Sequence, residues 1–581
     1  MRSLRMNAVA CALVFVICEL ISWPFAEIGV ADDWSYVRTA QILAQTGQIA
    51  YNGWATAMIG WQLYFAAAIM KLFGPSFTSA RVSTLIVGAV TGFLIHRVLV
   101  RAGAFEYNAT VATLAIILSP LYMLLSATFM TDIQGLFGIV VCLYGCIRAV
   151  QSTSESNAIR WLWVAGLLNI IVGSSRQIAW LGVLVMIPST TWLLRAGRRV
   201  LWHGLLVALV GASSVAWCMH WFQQQPYSLP ESALPSITSI RQVLYVSRQL
   251  LRGAFEVPFL ALALAFGFFS ELRRSKWAAV VMATTLVAFA LAGVLVERHR
   301  SLNVLLEPLL SDWLSPQGFY DIELNGQSPA VLTTAVRVVL TGLTIAFVIC
   351  VGSVIRRIAA NSFKTHLQRK PDALTWSQIA VLLGPFSAAY AILLIPRATG
   401  NLRDRYLLEF FFVAVIMLVR LYQDFVRPAF PRSVMVAVAC AGIFSVAATH
   451  DMFSLNRARL KIAEEVTAAG VRDNELDGGF EWNGWVELQR AGHLNDERLV
   501  NPPHSFVPLD KYHGMVCDVE KEKNTGMPHL APKFGIAWQK DACHGAAPFA
   551  PVRYSRWLAF RPADLYVVKY GALDISMSEG R

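Results

Sequence analysis

Charge is the scarcest property of this 581-residue chain. Only 15% of its residues are Asp, Glu, Lys or Arg, against roughly 25% in a soluble globular domain. With 56% hydrophobic residues and a mean hydropathy of +0.51, that scarcity excludes a soluble fold. It leaves a polytopic membrane protein, with 18 Trp available for the two interfaces. No simple internal repeat and no low-complexity tract is present, so a repeat array is excluded. A clear small-residue cleavage site is missing after the first apolar run, residues 8–25, so that run reads as a first spanning helix with its N-terminus inside. Cysteine supplies no metal pair. Seven of the nine (Cys11, Cys18, Cys142, Cys146, Cys218, Cys350 and Cys440) lie in or at apolar segments and behave as small apolar residues. Cys142 and Cys146 have helical spacing, but no His or acid stands near them in sequence.

The charges that are present alternate in an orderly way. Arg97 and Arg101, Arg148, Arg195 to Arg199, Arg273 to Lys276, Arg356 to Lys370, and Arg427 with Arg432 all fall in alternate connections between apolar segments. The formal charge of +12 therefore reflects positive-inside loops and not nucleic-acid binding. Apolar segments at 8–25, 79–100, 107–128, 133–149, 161–173, 178–194, 200–222, 253–271, 277–296, 330–355, 376–395, 407–422 and 433–448 give about 13 spans. Residues 57–73 are apolar but short; a span there would put the next positive cluster on the wrong side, so an interfacial helix is expected. Residues 223–250 read as an outer loop carrying Arg241, Tyr245 and Arg248, and 297–329 as a second polar outer loop.

The first outer connection carries the strongest signal. Asp32 and Asp33 stand side by side directly after the first apolar segment, where two carboxylates are costly to hold. Tyr36, Ala40, Leu43 and Ala44 follow at helical spacing, with Arg38, Thr39, Gln41 and Gln45 on other faces. This describes an amphipathic helix at the membrane surface, with the acids at its positive N-terminal end. The pair either caps this helix or serves chemistry. The other outer connections add Asp132 and the cations Arg176, Arg241, Arg248, Arg397, Arg403 and Arg405. Arg binds phosphate through two parallel hydrogen bonds and stays charged in an apolar site, and a carboxylate nearby can deprotonate a hydroxyl. Taken singly, each arginine is also an ordinary interface anchor. The cluster Arg403-Asp404-Arg405-Tyr406 is harder to explain that way, since nothing requires three charges at a non-cytoplasmic helix start.

Asp32-Asp33-Trp34-Ser35-Tyr36, with Gly47 after Ala44-Gln45-Thr46, resembles the first outer loop of the GT-C glycosyltransferases. The branch it resembles contains the protein O-mannosyltransferases and the lipid A aminoarabinose transferases. Leu72-Phe73-Gly74, Ala80-Arg81, the lone Asp132 and Arg405-Tyr406-Leu407 follow the same branch in order. The sequence departs from it in three places: Asp33 stands for a Glu, a Pro-Pro is absent around Ala57-Met58, and Ser175-Arg176 stands for Thr-Lys. The resemblance implies an α-helical GT-C membrane enzyme that transfers a hexosyl or pentosyl unit, with inversion, from a polyprenyl-phosphate donor to a lipid, glycan or protein acceptor. It implies catalytic roles for Asp32 (general base), Asp33 and Asp132, and substrate-binding roles for Tyr36, Arg176, Arg403, Arg405 and Tyr406. Asp132 and Asp33 would orient the acceptor or hold a divalent metal, although the carboxylates alone do not form a complete metal site. The implied setting is a bacterial inner membrane, with the site facing the periplasm. The rival readings are a transporter or flippase of lipid-linked sugars, and an oligosaccharyltransferase or polymerase.

Two units are expected: a transmembrane glycosyltransferase domain over 1–450, with its first outer loop at 26–78, and a small α/β or α+β periplasmic domain over 451–581. In the latter, 456–469 reads as helix and 565–570 as strand. Cys517 and Cys543 either pair, if the compartment oxidises, or remain free. The run Asp477-Gly478-Gly479-Phe480-Glu481-Trp482-Asn483-Gly484-Trp485 offers aromatics beside Asn and Glu for a sugar, or a glycine turn leading into a small core.

Overall fold

The computed structural model describes residues 2–54, 59–229, 238–297, 306–310, 312–320, 322–360, 373–506, 515–517 and 526–572. Ala57, Met58 and the basic residues Lys364, Arg369 and Lys370 lie outside the described residues.

Helix α1 (Arg2–Ser22) is followed by α2 (Asp33–Thr46), α3 (Trp61–Phe73) and α4 (Phe77–Arg101). Next, α5 (Glu106–Ile117) and α6 (Pro120–Ser126) form a pair bent by 61°. The break falls where Ser119 caps the second piece ahead of Pro120, which cannot donate to the preceding turn. Helices α7 (Asp132–Val150) and α8 (Glu155–Gly173) pack as a hairpin, and α9 (Ile187–Leu193) and α10 (Arg198–Gln223) follow. A second bent pair, at 68°, joins α11 (Ile240–Leu260) to α12 (Leu262–Phe268) and α13 (Ser270–Arg274). Helix α14 (Lys276–Glu297) leads to a small hairpin, β1 (Leu314–Ser315) with β2 (Gly318–Phe319). Four long helices complete the helical part: α15 (Thr334–Ala359), α16 (Trp376–Thr399), α17 (Leu408–Phe425) and α18 (Arg432–Ala468).

Among the described residues, eight helices are long and apolar enough to cross a membrane, or ten if each bent pair counts as one span; three further apolar helices are shorter. One expected loop is corrected. Residues 240–250 belong to α11 and not to an outer loop, so Arg241, Tyr245 and Arg248 sit on a helix. The start signal is a capping box: Ser239 accepts from the Gln242 amide, and the Gln242 side chain returns a bond to Ser239. Helix α3 is only 13 residues long, about 20 Å at 1.5 Å per residue and too short to span. Its Tyr64, Leu72 and Phe73 are exposed, while its N-terminal end is bonded to the connection after α8. The amides of Gly60, Trp61 and Gln62 donate to Ser174 and Ser175.

The C-terminal part is built on α18, which continues unbroken through residue 450, the expected domain boundary. It comprises β3 (Leu476–Asp477), α19 (Phe480–Ala491), β4 (Met515–Val516), β5 (Phe534–Ala537), β6 (Val552–Tyr554), β7 (Ala563–Lys569) and β8 (Gly571–Ala572). The main sheet has the order β3-β5-β7-β6, parallel only between β3 and β5. Cys517 and Cys543 form a disulfide.

This domain grips the first outer loop. Trp34 of α2 is fully buried between Trp54, stacked at 6.0 Å, and Phe480, edge-on at 5.7 Å. A Cβ on Gly484 would come within 2.6 Å of the same indole, so α19 approaches α2 as closely as a bare glycine allows. Trp485 packs on Phe77 at 4.9 Å. Aromatic pairs of this kind contribute about 0.5–1.5 kcal/mol each beyond their buried area. Beneath them the buried Arg459 bonds Glu481 at 2.8 Å and the Gly478 carbonyl.

Candidate active site

The two adjacent acids of the first loop face opposite fates. Asp33 opens α2 and is fully buried. Its Oδ2 accepts from both Nε and Nη2 of Arg81, at 3.1 and 2.9 Å, and from the Phe129 amide; its Oδ1 accepts from the Val30 amide at 2.7 Å. Arg81 is equally consumed, since its remaining donors reach the carbonyls of Ala26 and Ile28. One carboxylate and one guanidinium thus tie together α2, α4 and the connection before α7. Burial acts to raise the Asp33 carboxyl, while Arg81 and the two backbone amides act to keep it charged.

Asp32 occupies the N-cap position but makes no capping bond. Its side chain turns instead toward Trp54 and Arg405. Oδ1 accepts from Trp54 Nε1 at 2.8 Å, and Oδ2 lies 3.4 Å from Nη2 of Arg405. Trp54 is itself fixed by Asn52, which accepts from its amide and also bonds Ser35 and Thr39 of α2.

Arg405 faces a second acid, Asp312, with Nε 3.8 Å from Oδ2, and Arg403 reaches the other oxygen of Asp312 at 3.3 Å. Burial holds the Asp312 carboxyl above its ordinary range despite these two cations. The backbone behind the pair is positioned by Asp404, a fully buried carboxylate that accepts from the amides of Trp313, Leu314 and Arg405. It locks the β1–β2 hairpin to the start of α17.

On the adjoining side, Arg176 Nη1 meets Asp132 Oδ1 at 2.7 Å, and its Nε lies 3.7 Å from Glu409. Burial works to lower the Arg176 guanidinium, but Asp132 and Glu409 hold it above its ordinary value. Glu409 accepts from the Tyr390 hydroxyl at 2.6 Å. The ring of Tyr406 is shared by Arg176, Arg405 and Arg397, whose guanidinium carbons lie 5.7, 5.3 and 5.5 Å from its centre. Helix α11 adjoins this edge through Tyr245, whose hydroxyl donates to Gly400.

The structure therefore brings Asp32, Asp132, Arg176, Arg403, Arg405 and Tyr406 into one charged cluster at the N-terminal ends of α2, α7 and α17. Asp33 lies behind it, and Tyr36 is buried in the core on α2. Arg241 and Arg248 are exposed and outside the cluster. Asp312, Glu409, Trp54 and Arg81 complete the arrangement, and sequence reasoning did not assign them to the site. Only Arg81 carried a signal, in the Ala80-Arg81 motif; Asp312 lay unmarked in a polar loop. Among the described residues no three His, Cys, Asp or Glu side chains are grouped to hold a metal ion. Chemically, the cluster alternates acids and arginines. Its guanidinium groups suit a phosphate, and Asp32 is an oxygen acceptor held by one indole and one arginine.

No family model and no curated protein sequence matches the chain. Several solved structures are similar to it. One is ArnT from Cupriavidus metallidurans bound to undecaprenyl phosphate, at 14% identity and TM-score 0.41, covering 96% of this chain and 97% of that one. The Archaeoglobus fulgidus oligosaccharyltransferase gives 15% identity and TM-score 0.43, covering 90% of this chain and 64% of that one. The S. cerevisiae protein O-mannosyltransferase Pmt1-Pmt2 complex bound to the sugar donor gives 15% identity and TM-score 0.32 over 38% of this chain. The matched part spans about a third, 33%, of that yeast chain.

Proposed function

We propose that the chain is a GT-C glycosyltransferase that moves one hexosyl or pentosyl unit from a polyprenyl-phosphate carrier to a hydroxyl on a lipid, glycan or protein acceptor. The observation that carries this reading is the Asp32–Arg405 pairing: a candidate base and a candidate phosphate ligand side by side. The sequence resemblance of the first loop and of Arg405-Tyr406-Leu407 supports the same assignment.

In this reaction Asp32 accepts the proton of the acceptor hydroxyl as its oxygen attacks the anomeric carbon. The bond from that carbon to the phosphate oxygen breaks on the opposite face, so configuration inverts. The departing lipid phosphate takes the electron pair and is stabilised by Arg405, Arg403 and Arg176. General-base catalysis contributes about 10²–10⁴-fold. Asp132 orients Arg176, and Asp33 holds the loop in place. Counting the three shorter apolar helices as spans gives the 13-span topology, with the site and the C-terminal domain on the side opposite the basic connections. The Cys517–Cys543 bridge suits an oxidising periplasm.

Mass spectrometry of lipids and glycans from cells with the gene, without it, and with Asp32→Asn tests the reading. A hexose- or pentose-sized mass lost in both altered strains supports it. A deletion that changes lipid-linked sugar pools, beside an Asp32→Asn strain identical to wild type, favours a transporter and overturns it.

A further inference from the structure

The hairpin formed by β6 and β7 ends in the connection Ser555-Arg556-Trp557-Leu558-Ala559-Phe560-Arg561-Pro562. Its composition is unusual for a loop on a polar domain. Phe560 is 96% exposed and Trp557 42% exposed, and an arginine flanks each of these aromatics. Phe560 also has a φ of +52°, a left-handed conformation that a bulky residue rarely adopts. A phenylalanine held open to solvent in such a conformation gains nothing from the rest of the chain. No ion pair joins Arg556 or Arg561 to an acid among the described residues, whereas neighbouring Arg553 is paired with Asp564.

The height of this loop relative to the bilayer can be read from α18. That helix begins at Arg432, next to Arg427 on the basic side. About 20 helical residues cross the hydrocarbon core, so α18 emerges on the far side near residue 452. The hairpin tip is fastened to the helix at that level. Asp451 accepts from the amides of Trp557 and Leu558, Ser454 bonds Ser555, and the His450 ring stacks on Trp557 at 3.7 Å. The aromatic and basic tip is therefore fixed at the far membrane–water boundary, where Trp and Phe partition and guanidinium groups meet lipid phosphates.

We infer that the 556–561 loop is a membrane anchor: Phe560 and Trp557 enter the outer-facing leaflet beside α18, and Arg556 and Arg561 bind phosphates of anionic phospholipid headgroups. The anchor fixes the C-terminal domain against the bilayer and, through α19, steadies the first loop that carries Asp32. It does not depend on the proposed reaction.

The test uses the full chain with Phe560→Cys carrying a bimane label, in nanodiscs of phosphatidylglycerol and phosphatidylethanolamine or of phosphatidylcholine, with wild-type protein as the control for label on native thiols. The expected result is blue-shifted emission, at least twofold quenching by a nitroxide lipid labelled near the headgroup, and protection from aqueous iodide. Adding Arg556→Glu and Arg561→Glu should halve the lipid quenching in the anionic discs and change it little in phosphatidylcholine. Water-like emission quenched by iodide overturns the anchor. So does blue-shifted emission that nitroxide lipid fails to quench, which would mean that a protein surface covers the loop.

Discussion

Nη2 of Arg405 and Oδ2 of Asp32 stand 3.4 Å apart although 373 residues separate them in the chain. The loop before α2 and the start of α17 thus meet through a carboxylate and a guanidinium. Removing the negative charge of Asp32 tests its role directly. Asp32→Asn keeps an oxygen for Trp54 Nε1 but cannot accept a proton, so transfer from a polyprenyl-phosphate sugar in a purified assay should fall at least 10²-fold. Membrane insertion and the Cys517–Cys543 bridge should be unaffected. Activity within tenfold of wild type would remove Asp32 from the chemistry.

Asp33 should behave differently. Cutting one partner of a buried ion pair costs about 3–5 kcal/mol, because the other charge is left unpaired, whereas replacing both is far milder. Asp33→Ala and Arg81→Leu should each lower the melting temperature sharply, and the double substitution should melt above either single one. If Asp33→Ala melts like wild type and is merely inactive, Asp33 belongs to the reaction and not to the frame.

The contrast between these neighbours shows what the sequence could reveal. Both acids stand out because two carboxylates beside an apolar segment need a reason. Which of them is locked between α2 and α4 does not, because the deciding partner, Arg81, lies 48 residues away from Asp33. Asp312 was invisible for a related reason: an acid in a polar loop carries no signal until the fold sets it between Arg403 and Arg405. The order of the apolar helices was legible. Helix α2 was legible as a helix, but its first turns are buried against the C-terminal domain, where a helix lying open at the membrane surface was expected. The start of α11 was missed because an amphipathic helix with exposed Ile240, Leu244 and Leu251 looks like loop when only mean hydropathy is weighed.

Asp312 is paired with Arg403 and Arg405, so in the proposed reaction it would compete with the donor phosphate for both. Asp312→Asn frees them, so the donor KM should fall by about tenfold, on the scale of one screened charge interaction. The sign of the pH dependence follows. Burial lifts the Asp312 carboxyl above the usual range, so acidification neutralises it before free aspartate. Donor KM of the wild type should therefore fall as pH drops through that range, while the variant stays flat. A KM that rises in the variant would mean that Asp312 places the arginines and does not compete for them.

The disulfide closes a separation of 26 residues, for which chain-entropy arguments give about 3 kcal/mol. Cys517→Ala or reduction should destabilise the C-terminal domain by that order, read from limited proteolysis of the detergent-solubilised protein. Equal protease resistance with and without reductant would show that the bridge adds nothing to its stability.

Gly135 offers a way to displace Arg176 on the other side of the site without altering either charge. Arg176 crosses the first turn of α7 at this glycine to reach Asp132, and a Cβ there would collide with its Cδ. In a helix, alanine is favoured over glycine by about 0.8–1 kcal/mol, so the added side chain supports α7 while it displaces the guanidinium. Gly135→Ala should lower the melting temperature, because parting Arg176 from the buried Asp132 outweighs the gain in helix propensity, and reduce transfer severalfold; Gly135→Val, with two more carbons in the same place, should reduce it by about 10–10²-fold. The loss should appear mainly in kcat if Arg176 steadies the departing phosphate, because that charge is greatest in the transition state. It should appear in donor KM if Arg176 holds the phosphate equally before and during transfer. Wild-type values for both constants in Gly135→Val would exclude the Arg176–Asp132 pair from the reaction and leave Arg403 and Arg405 as the phosphate ligands.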